Sequence, residues 1–325
     1  MNQNTFSPPV WLANPHVQTM LGSIPPRRNW SRWRARQLLA TATPQIVECS
    51  DGVRLLAAVD RPVAGDNGQL VVLIHGWEGS ADSGYMITLA PVLVAAGFTV
   101  VRLNLRDHGA SHHLNRELFH SCRLQEVVDA VRWVLETYPD KVVSLAGFSL
   151  GANFCLRVGA AADQAGLRIK KIVAICPVLN PAQTMQALDG GWSGYRRYFL
   201  NKWRSSLDKK CKAFPALYRF GDLRRFRSME SMTDFFVREH TDYADLRSYL
   251  SGYALSGNRL AELSVPATLL LSHDDPVIPH FGLADVCLPD SVTVLETAFG
   301  GHCGFMESLS LHSWLDDFVL AELSC

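Results

Sequence analysis

Gly147-Phe148-Ser149-Leu150-Gly151 follows an apolar run at residues 142–146 and precedes a helical pattern at residues 153–158. A serine between two glycines at a strand-to-helix turn is typical of a nucleophile elbow. Such a turn strains the serine backbone, and side chains at positions 147 and 151 would crowd the adjoining strand and helix. The serine Oγ would then be exposed at the positive N-terminal end of a helix. Because so short a match also arises by chance, its weight depends on the rest of the chain.

Strand and helix patterns alternate from residue 45 to the C-terminus. The predicted strands cover residues 45–49, 53–60, 70–74, 98–105, 141–146, 169–176, 267–272 and 292–297. Helical patterns cover residues 85–96, 124–137 and 311–323, and a further helix is expected between the last two strands. This alternation predicts an α/β fold with a mostly parallel central sheet flanked by helices.

The interval 181–263 has no clear strand pattern. We expect residues 45–180 and 264–325 to form the α/β core and residues 181–263 to form a helical cap inserted in it. Residues 1–44 would be an N-terminal extension that packs on the core. In open α/β sheets, ligands bind at the carboxyl edge of the strands, and the cap would cover that edge.

Two loops that follow later strands supply the partners that a serine nucleophile needs. The serine requires a base, and the base requires an orienting carboxylate, in the chain order Ser, Asp or Glu, His. His302 is the predicted base, and the glycines around it would let its backbone approach Ser149. Asp275 is the predicted acid, because the carboxylate just before a proline usually faces the histidine in elbow-bearing hydrolases. The adjacent Asp274 is the second choice.

The loop His75-Gly76-Trp77-Glu78-Gly79-Ser80 follows a predicted strand and fits an oxyanion hole. We assign the two backbone N–H donors to Trp77 and Leu150. His75 is expected to brace this loop rather than to act as a second base. Residues 106–113, with His120 and Cys122 beyond them, lack the paired spacing of a zinc site, so no metal is predicted.

Composition and charge narrow the class of protein. The chain has 325 residues, of which 48% are hydrophobic, and its formal net charge of zero gives no global field that favours nucleic acid. Eight cysteines without a Cys-x-x-Cys pair fit reduced, buried thiols. Residues 1–5 do not resemble the start of a signal peptide, and no apolar run approaches the ~18 residues of a membrane span. We therefore expect a cytoplasmic protein.

Several elements together resemble the YheT-like branch of the α/β-hydrolase superfamily over nearly the whole chain. They are the elbow, Asn14-Pro15-His16-Val17-Gln18-Thr19, the loop 75–80, Asp274-Asp275-Pro276, and Gly301-His302-Cys303-Gly304-Phe305. Bacterial members are treated as predicted esterases or hydrolases, and eukaryotic relatives include acylglycerol and phospholipid lipases. The resemblance implies Ser149, Asp275 and His302 as the triad. This chain departs from it at Arg106-Asp107-His108-Gly109, where many relatives carry Arg-Gly-x-x-Gly.

The expected function is hydrolysis of a carboxylic ester through an acyl-enzyme intermediate, with lipid-like acyl esters among the candidate substrates. A thioesterase, an amidase or an acyltransferase could use the same residues. A non-catalytic interaction protein and a peripheral membrane-binding protein are alternatives of another class. The predicted partner is a small-molecule acyl ester, and no cofactor, nucleic acid or obligate protein partner is predicted.

The cap combines aromatic and basic residues. Residues 190–228 carry 11 Lys and Arg against two acids. Such a mixture is compatible with transient contact with an anionic membrane surface, although packing of an amphipathic cap needs no ligand. Its aromatic residues include Trp192, Tyr195, Tyr198, Phe199, Trp203, Phe214, Tyr218 and Phe220.

Overall fold

A computed structural model describes residues 6–21, 25–63, 65–308 and 313–325. Its centre is an eight-stranded sheet in the order β1-β2-β4-β3-β5-β6-β7-β8. The pairs β1–β2 and β2–β4 are antiparallel, and the other neighbours are parallel. The strands are β1 Thr43–Glu48, β2 Arg54–Asp60, β3 Gln69–Ile74, β4 Thr99–Asn104, β5 Val142–Phe148, β6 Ile172–Ile175, β7 Ala267–Ser272 and β8 Val292–Thr297. The predicted α/β fold with a mostly parallel sheet is confirmed.

Helices cover both faces of the sheet. They are α1 Pro15–Leu21, α2 Pro25–Arg34, α3 Arg36–Thr41, α4 Gly84–Ala95, α5 Leu124–Thr137, α6 Leu150–Ala160, α7 Ala162–Ala165, α8 Pro181–Gly190, α9 Ser193–Ala213, α10 Met229–His240, α11 Leu246–Gly252 and α12 Trp314–Ser324. The central strands read as continuous apolar runs because helices bury them on both sides. One apolar cluster packs with α5 and α6, and the other packs with α4 and α12.

Two predicted helices differ from the structure. The helix expected between β7 and β8 is a short 3-10 helix, His280–Asp285, and not an α-helix. Helix α12 begins at Trp314, whereas the prediction began at residue 311, and residues 311–312 lie outside the described residues. Ser313 forms a capping box with Asp316, which explains where the helix begins. The prediction about residues 1–5 also lies outside the described part of the chain.

The interval 181–263 contains helices α8 to α11 and, within the described residues, no strand. Asn180 caps α8 by accepting hydrogen bonds from the N–H groups of Ala182 and Gln183. Asp245 caps α11 in a capping box with Ser248. In the described part of the chain, no helix has the length and apolar character that crossing a bilayer requires.

Candidate active site

Ser149 stands at the sharp turn between β5 and α6. Its φ of 54° and ψ of −116° are unusual for a residue other than glycine. The two flanking glycines are required by close packing. A Cβ at Gly147 would lie 2.5 Å from the Gly151 carbonyl group, and one at Gly151 would lie 2.2 Å from the Ile74 carbonyl oxygen. The strained turn and the crowding expected of an elbow are both present.

His302 and Asp275 meet at the carboxyl edge of the sheet. His302 Nδ1 lies 2.8 Å from Asp275 Oδ2, and the two side chains are 12% and 2% exposed. The other carboxylate oxygen, Oδ1, accepts hydrogen bonds from the N–H groups of Val277 and Ile278 at 2.7 and 2.8 Å. The carboxylate is therefore fixed on both oxygens and orients the imidazole.

Asp274, the second choice for the acid, faces away from the imidazole to other partners. Its Oδ1 accepts hydrogen bonds from Ser272 Oγ and, at 2.8 Å, from the Gly301 N–H group. It therefore ties the loop after β7 to the loop that carries His302. Of the two adjacent carboxylates, the structure brings Asp275 to the histidine.

Gly301 and Gly304, the glycines on either side of His302 and Cys303, lie against helix α1. A Cβ at Gly301 would lie 2.6 Å from the Pro15 carbonyl oxygen, and one at Gly304 would lie 2.5 Å from the Gln18 carbonyl oxygen. At both positions the glycine accommodates α1 of the N-terminal extension, and the expected approach of the loop backbone to Ser149 stays a prediction. Sequence spacing could not reveal the contact with α1, because α1 and the loop are separated by nearly the whole chain.

Two backbone N–H groups near Ser149 are available as hydrogen-bond donors. Among the residues that the structure describes, none accepts a hydrogen bond from the N–H groups of Trp77 or Leu150. By contrast, the Gly76 N–H donates to the Tyr85 hydroxyl at 2.9 Å. A Cβ built on Gly76 would lie 3.2 Å from Ser149 Cβ, so the loop passes close to the serine.

His75 braces the loop from inside the protein. Its ring is fully buried, with Nδ1 2.7 Å from the Gly76 carbonyl oxygen and Nε2 3.2 Å from the Leu105 N–H nitrogen. Burial and the neighbouring His108 hold the pKa of His75 well below its usual range. A buried neutral imidazole with both nitrogens engaged fits the structural role predicted for it.

The loop after β4 braces the site and contacts the cap. Asp107 has a φ of 57°, and its Oδ1 lies 2.7 Å from the buried Lys210 Nζ on α9. His108 Nε2 accepts a hydrogen bond from the Glu78 N–H at 3.1 Å. Asp107, which belongs to the segment that departs from the family pattern, thus forms an ion pair with Lys210 of the cap.

One group of three described residues has the donor set for a thiophilic metal ion. The ligand atoms of Cys176, His302 and Cys303 all lie within 4.8 Å of one another. Sequence analysis did not find this group, because Cys176 follows β6 and its proximity to Cys303 depends on the order of the strands. A cation there would engage the same imidazole that Asp275 orients.

A cavity of about 750 Å³ connects Ser149 and His302 to the cap. Eight of the fourteen aromatic residues in the interval 181–263 line it: Trp192, Tyr195, Tyr198, Phe199, Trp203, Phe236, Tyr249 and Tyr253. Trp77 stacks on Phe199 with ring centroids 5.7 Å apart, so the loop 75–80 and the cap share one apolar wall. Of the basic excess, Lys202 and Lys209 also line the cavity. The cap aromatics therefore serve both packing and the cavity wall.

The electrostatics of His302 depend on two neighbours. Burial opposes the charged imidazolium, but the negative charge of Asp275, that of the Cys303 thiolate and the Asp275 hydrogen bond together raise the pKa of His302 to about 9. The imidazole becomes able to accept a proton only as pH rises through that value.

Comparison with known families identifies the fold. A model of the α/β hydrolase fold matches residues 69–309, well over half of the chain. This chain belongs to the α/β hydrolase family.

Proteins with similar sequences include one named as an esterase and one named as a phospholipase. The chain is 26% identical over 326 residues to YheT of Escherichia coli (strain K12), named as a candidate esterase, with 97% of this chain and 91% of that protein covered. It is 20% identical over 315 residues to phospholipase ABHD3 of Bos taurus, with 94% of this chain and 74% of that protein covered. The resemblance to the YheT-like branch is confirmed.

Solved α/β hydrolase structures agree with the fold. An esterase of Pyrococcus furiosus, Pf2001, gives a TM-score of 0.58 at 17% identity, covering 89% of this chain and 93% of that one. A hyperthermophilic esterase from Pyrobaculum calidifontis gives 0.56 at 17% identity and covers 98% of both chains. At these identities the likeness shows the fold.

Proposed function

We propose that this α/β hydrolase is a serine-dependent carboxylic ester hydrolase. The observation that carries the proposal is the 2.8 Å contact between His302 Nδ1 and Asp275 Oδ2, with the same histidine and Ser149 lining one cavity. Relatives named as an esterase and a phospholipase support the same chemistry. Asp275 fixes the imidazole so that Nδ1 carries the proton and Nε2 is free to act as a base.

In the proposed mechanism, His302 takes the proton of Ser149 as Oγ bonds to the acyl carbon. The carbonyl oxygen becomes an oxyanion, which the Trp77 and Leu150 N–H groups would stabilise by ~3–4 kcal/mol each. His302 then protonates the departing alcohol, and the carbon–oxygen ester bond breaks to leave an acyl-enzyme. Water attacks that intermediate while the same histidine accepts its proton. Release of the acid returns the proton to Ser149.

The cavity supports an acyl ester with an apolar chain. Aromatic side chains form part of its wall, and Phe199 and Trp203 of the cap pack on Trp77 in the loop 75–80. An apolar pocket gains affinity with each buried methylene, by ~0.8 kcal/mol. The chain would therefore discriminate among substrates mainly by the acyl group.

Steady-state hydrolysis of p-nitrophenyl esters from acetate to palmitate tests the proposal. We expect turnover by the wild-type protein, with kcat/KM rising from acetate to longer acyl chains, and a loss of about 10⁶-fold in kcat for Ser149→Ala. Ser205→Ala, which alters another cavity-lining serine, should retain activity. Parallel assays on thioester and amide analogues separate an esterase from the other acyl-transfer activities. Absence of turnover on every ester by folded protein would contradict the proposal.

A further inference from the structure

The segment Asn14–Thr19 carries part of the family resemblance, yet no step of the proposed mechanism uses it. In the structure, Thr19 lies on α1 directly beside the candidate base. Its Oγ1 accepts a hydrogen bond from the His302 N–H at 2.9 Å and donates one to the Pro15 carbonyl oxygen at 2.7 Å. The hydroxyl therefore connects the backbone of His302 to the helix.

Gln18 fixes the same loop at a second point. This side chain is fully buried, and its Nε2 donates to the carbonyl oxygens of Leu12 and Met306 at 2.9 and 3.0 Å. Its Oε1 accepts from the Met306 N–H at 2.6 Å. Both the amide nitrogen and the amide oxygen of Gln18 are therefore hydrogen-bonded. The two bonds to Met306 hold the His302 loop against α1.

The His302 loop has a conformation that needs such external contacts. Cys303 and Phe305 have φ values of 56° and 46°, in the left-handed region that residues other than glycine rarely adopt. Backbone in this region persists only where its surroundings determine it. Gly301 and Gly304 allow α1 to approach closely enough to supply those contacts.

The cap reaches the same helix. Tyr195 on α9 is 6% exposed, and its hydroxyl lies 2.9 Å from Nδ1 of His16 on α1.

We propose that Thr19 is a positioning residue for His302. This inference rests on the proposed function, because it assigns Thr19 a role in orienting that base. The backbone N–H of His302, held by Thr19, and the imidazole Nδ1, held by Asp275, are two separate points of attachment. Loss of the first leaves the ring aligned by Asp275 alone.

Thr19→Val and Thr19→Ser test this role, with Thr41→Val as the matched control. Valine has the shape of threonine without its hydroxyl, serine keeps the hydroxyl, and Thr41 bonds only to backbone carbonyls of its own exposed helix. We expect Thr19→Val to lower kcat about tenfold with little change in KM, because a part-buried N–H loses its acceptor. Thr19→Ser should stay within about twofold of wild type, and Thr41→Val should match wild type.

A spectroscopic measurement tests the position of the His302 ring independently of activity. The low-field proton NMR resonance of the His302 Nδ1–H bonded to Asp275 reports ring alignment without turnover. We expect it to shift or broaden in Thr19→Val and in Thr19→Ala, which serves as a second variant if Thr19→Val does not fold. An unchanged resonance and unchanged kcat in folded Thr19→Val, or equal damage in Thr19→Ser, would overturn the proposal. Absence of ester turnover in wild type would instead count against the proposed function, and the resonance would still test Thr19.

Discussion

Three residues act on His302, and each acts in a different way. Asp275 orients the ring through Nδ1, and Thr19 holds the backbone N–H. Cys303 acts through charge, because its thiolate helps to raise the pKa of His302 to about 9. The proton affinity of the candidate base is thus adjustable without removing any residue of the proposed triad.

A prediction at the residue scale concerns pH. His302 must be neutral to accept the serine proton, so kcat/KM should increase as pH rises through a value of about 9 in the wild type. Cys303→Ser removes a group that can carry negative charge beside the imidazolium. The protonated form of His302 is then less favoured, and the rising limb should move to lower pH.

The measurement is a pH profile of kcat/KM for wild type, Cys303→Ser and Cys287→Ser. Cys287 is an exposed thiol outside the cavity lining, so its variant should follow the wild-type curve. A limb that stays in place, or that moves to higher pH in Cys303→Ser, would refute this account of the His302 environment.

At the scale of elements, helix α9 is joined to the core by a buried charge. Lys210 is fully buried and its Nζ contacts Asp107 Oδ1 and the Asn115 carbonyl oxygen at 2.7 Å, and the Glu117 carbonyl oxygen at 3.0 Å. Asp107 also accepts from the Phe119 N–H at 2.9 Å. Burial lowers the pKa of Lys210 and raises that of Asp107, while each opposes the shift of the other.

Removal of one member of this pair should destabilise the protein. Lys210→Met leaves Asp107 buried without its counter-charge, and the free energy of unfolding should fall by about 3–5 kcal/mol. Asp107→Asn combined with Lys210→Met should recover part of that loss, since no uncompensated charge then remains. Lys209→Met, on the exposed neighbouring position, is the control and should change stability by no more than about 0.5 kcal/mol. Urea unfolding of the four proteins gives the comparison, and equal stability of Lys210→Met and Lys209→Met would refute the anchoring role.

The elements themselves were predictable where the signal is local. Strand β3 follows from a continuous apolar run, and α5 follows from its helical period. The segment between β7 and β8 was predicted less well, because its apolar residues sit in a short 3-10 helix that carries no helical period of useful length.

At the scale of the whole molecule, the order of the strands determines which contacts of the candidate site can be predicted from the sequence. Chain order placed Ser149, Asp275 and His302 at one edge, since the carboxyl ends of parallel strands share that edge. The contact between α1 and the His302 loop joins residues 283 positions apart, and the Lys210–Asp107 pair joins residues 103 apart. Neither contact leaves a local pattern, so the motif at residues 14–19 could be noted but not assigned a role.

The central claim is that Ser149 is a nucleophile. Treatment of folded protein with a fluorophosphonate, followed by intact-mass and peptide mass spectrometry, tests it most directly. The account predicts one adduct per chain, on Ser149, which is absent in Ser149→Ala and retained in Ser205→Ala. Folded wild-type protein that stays unlabelled, or Ser149→Ala that is labelled as fast as wild type, would contradict it.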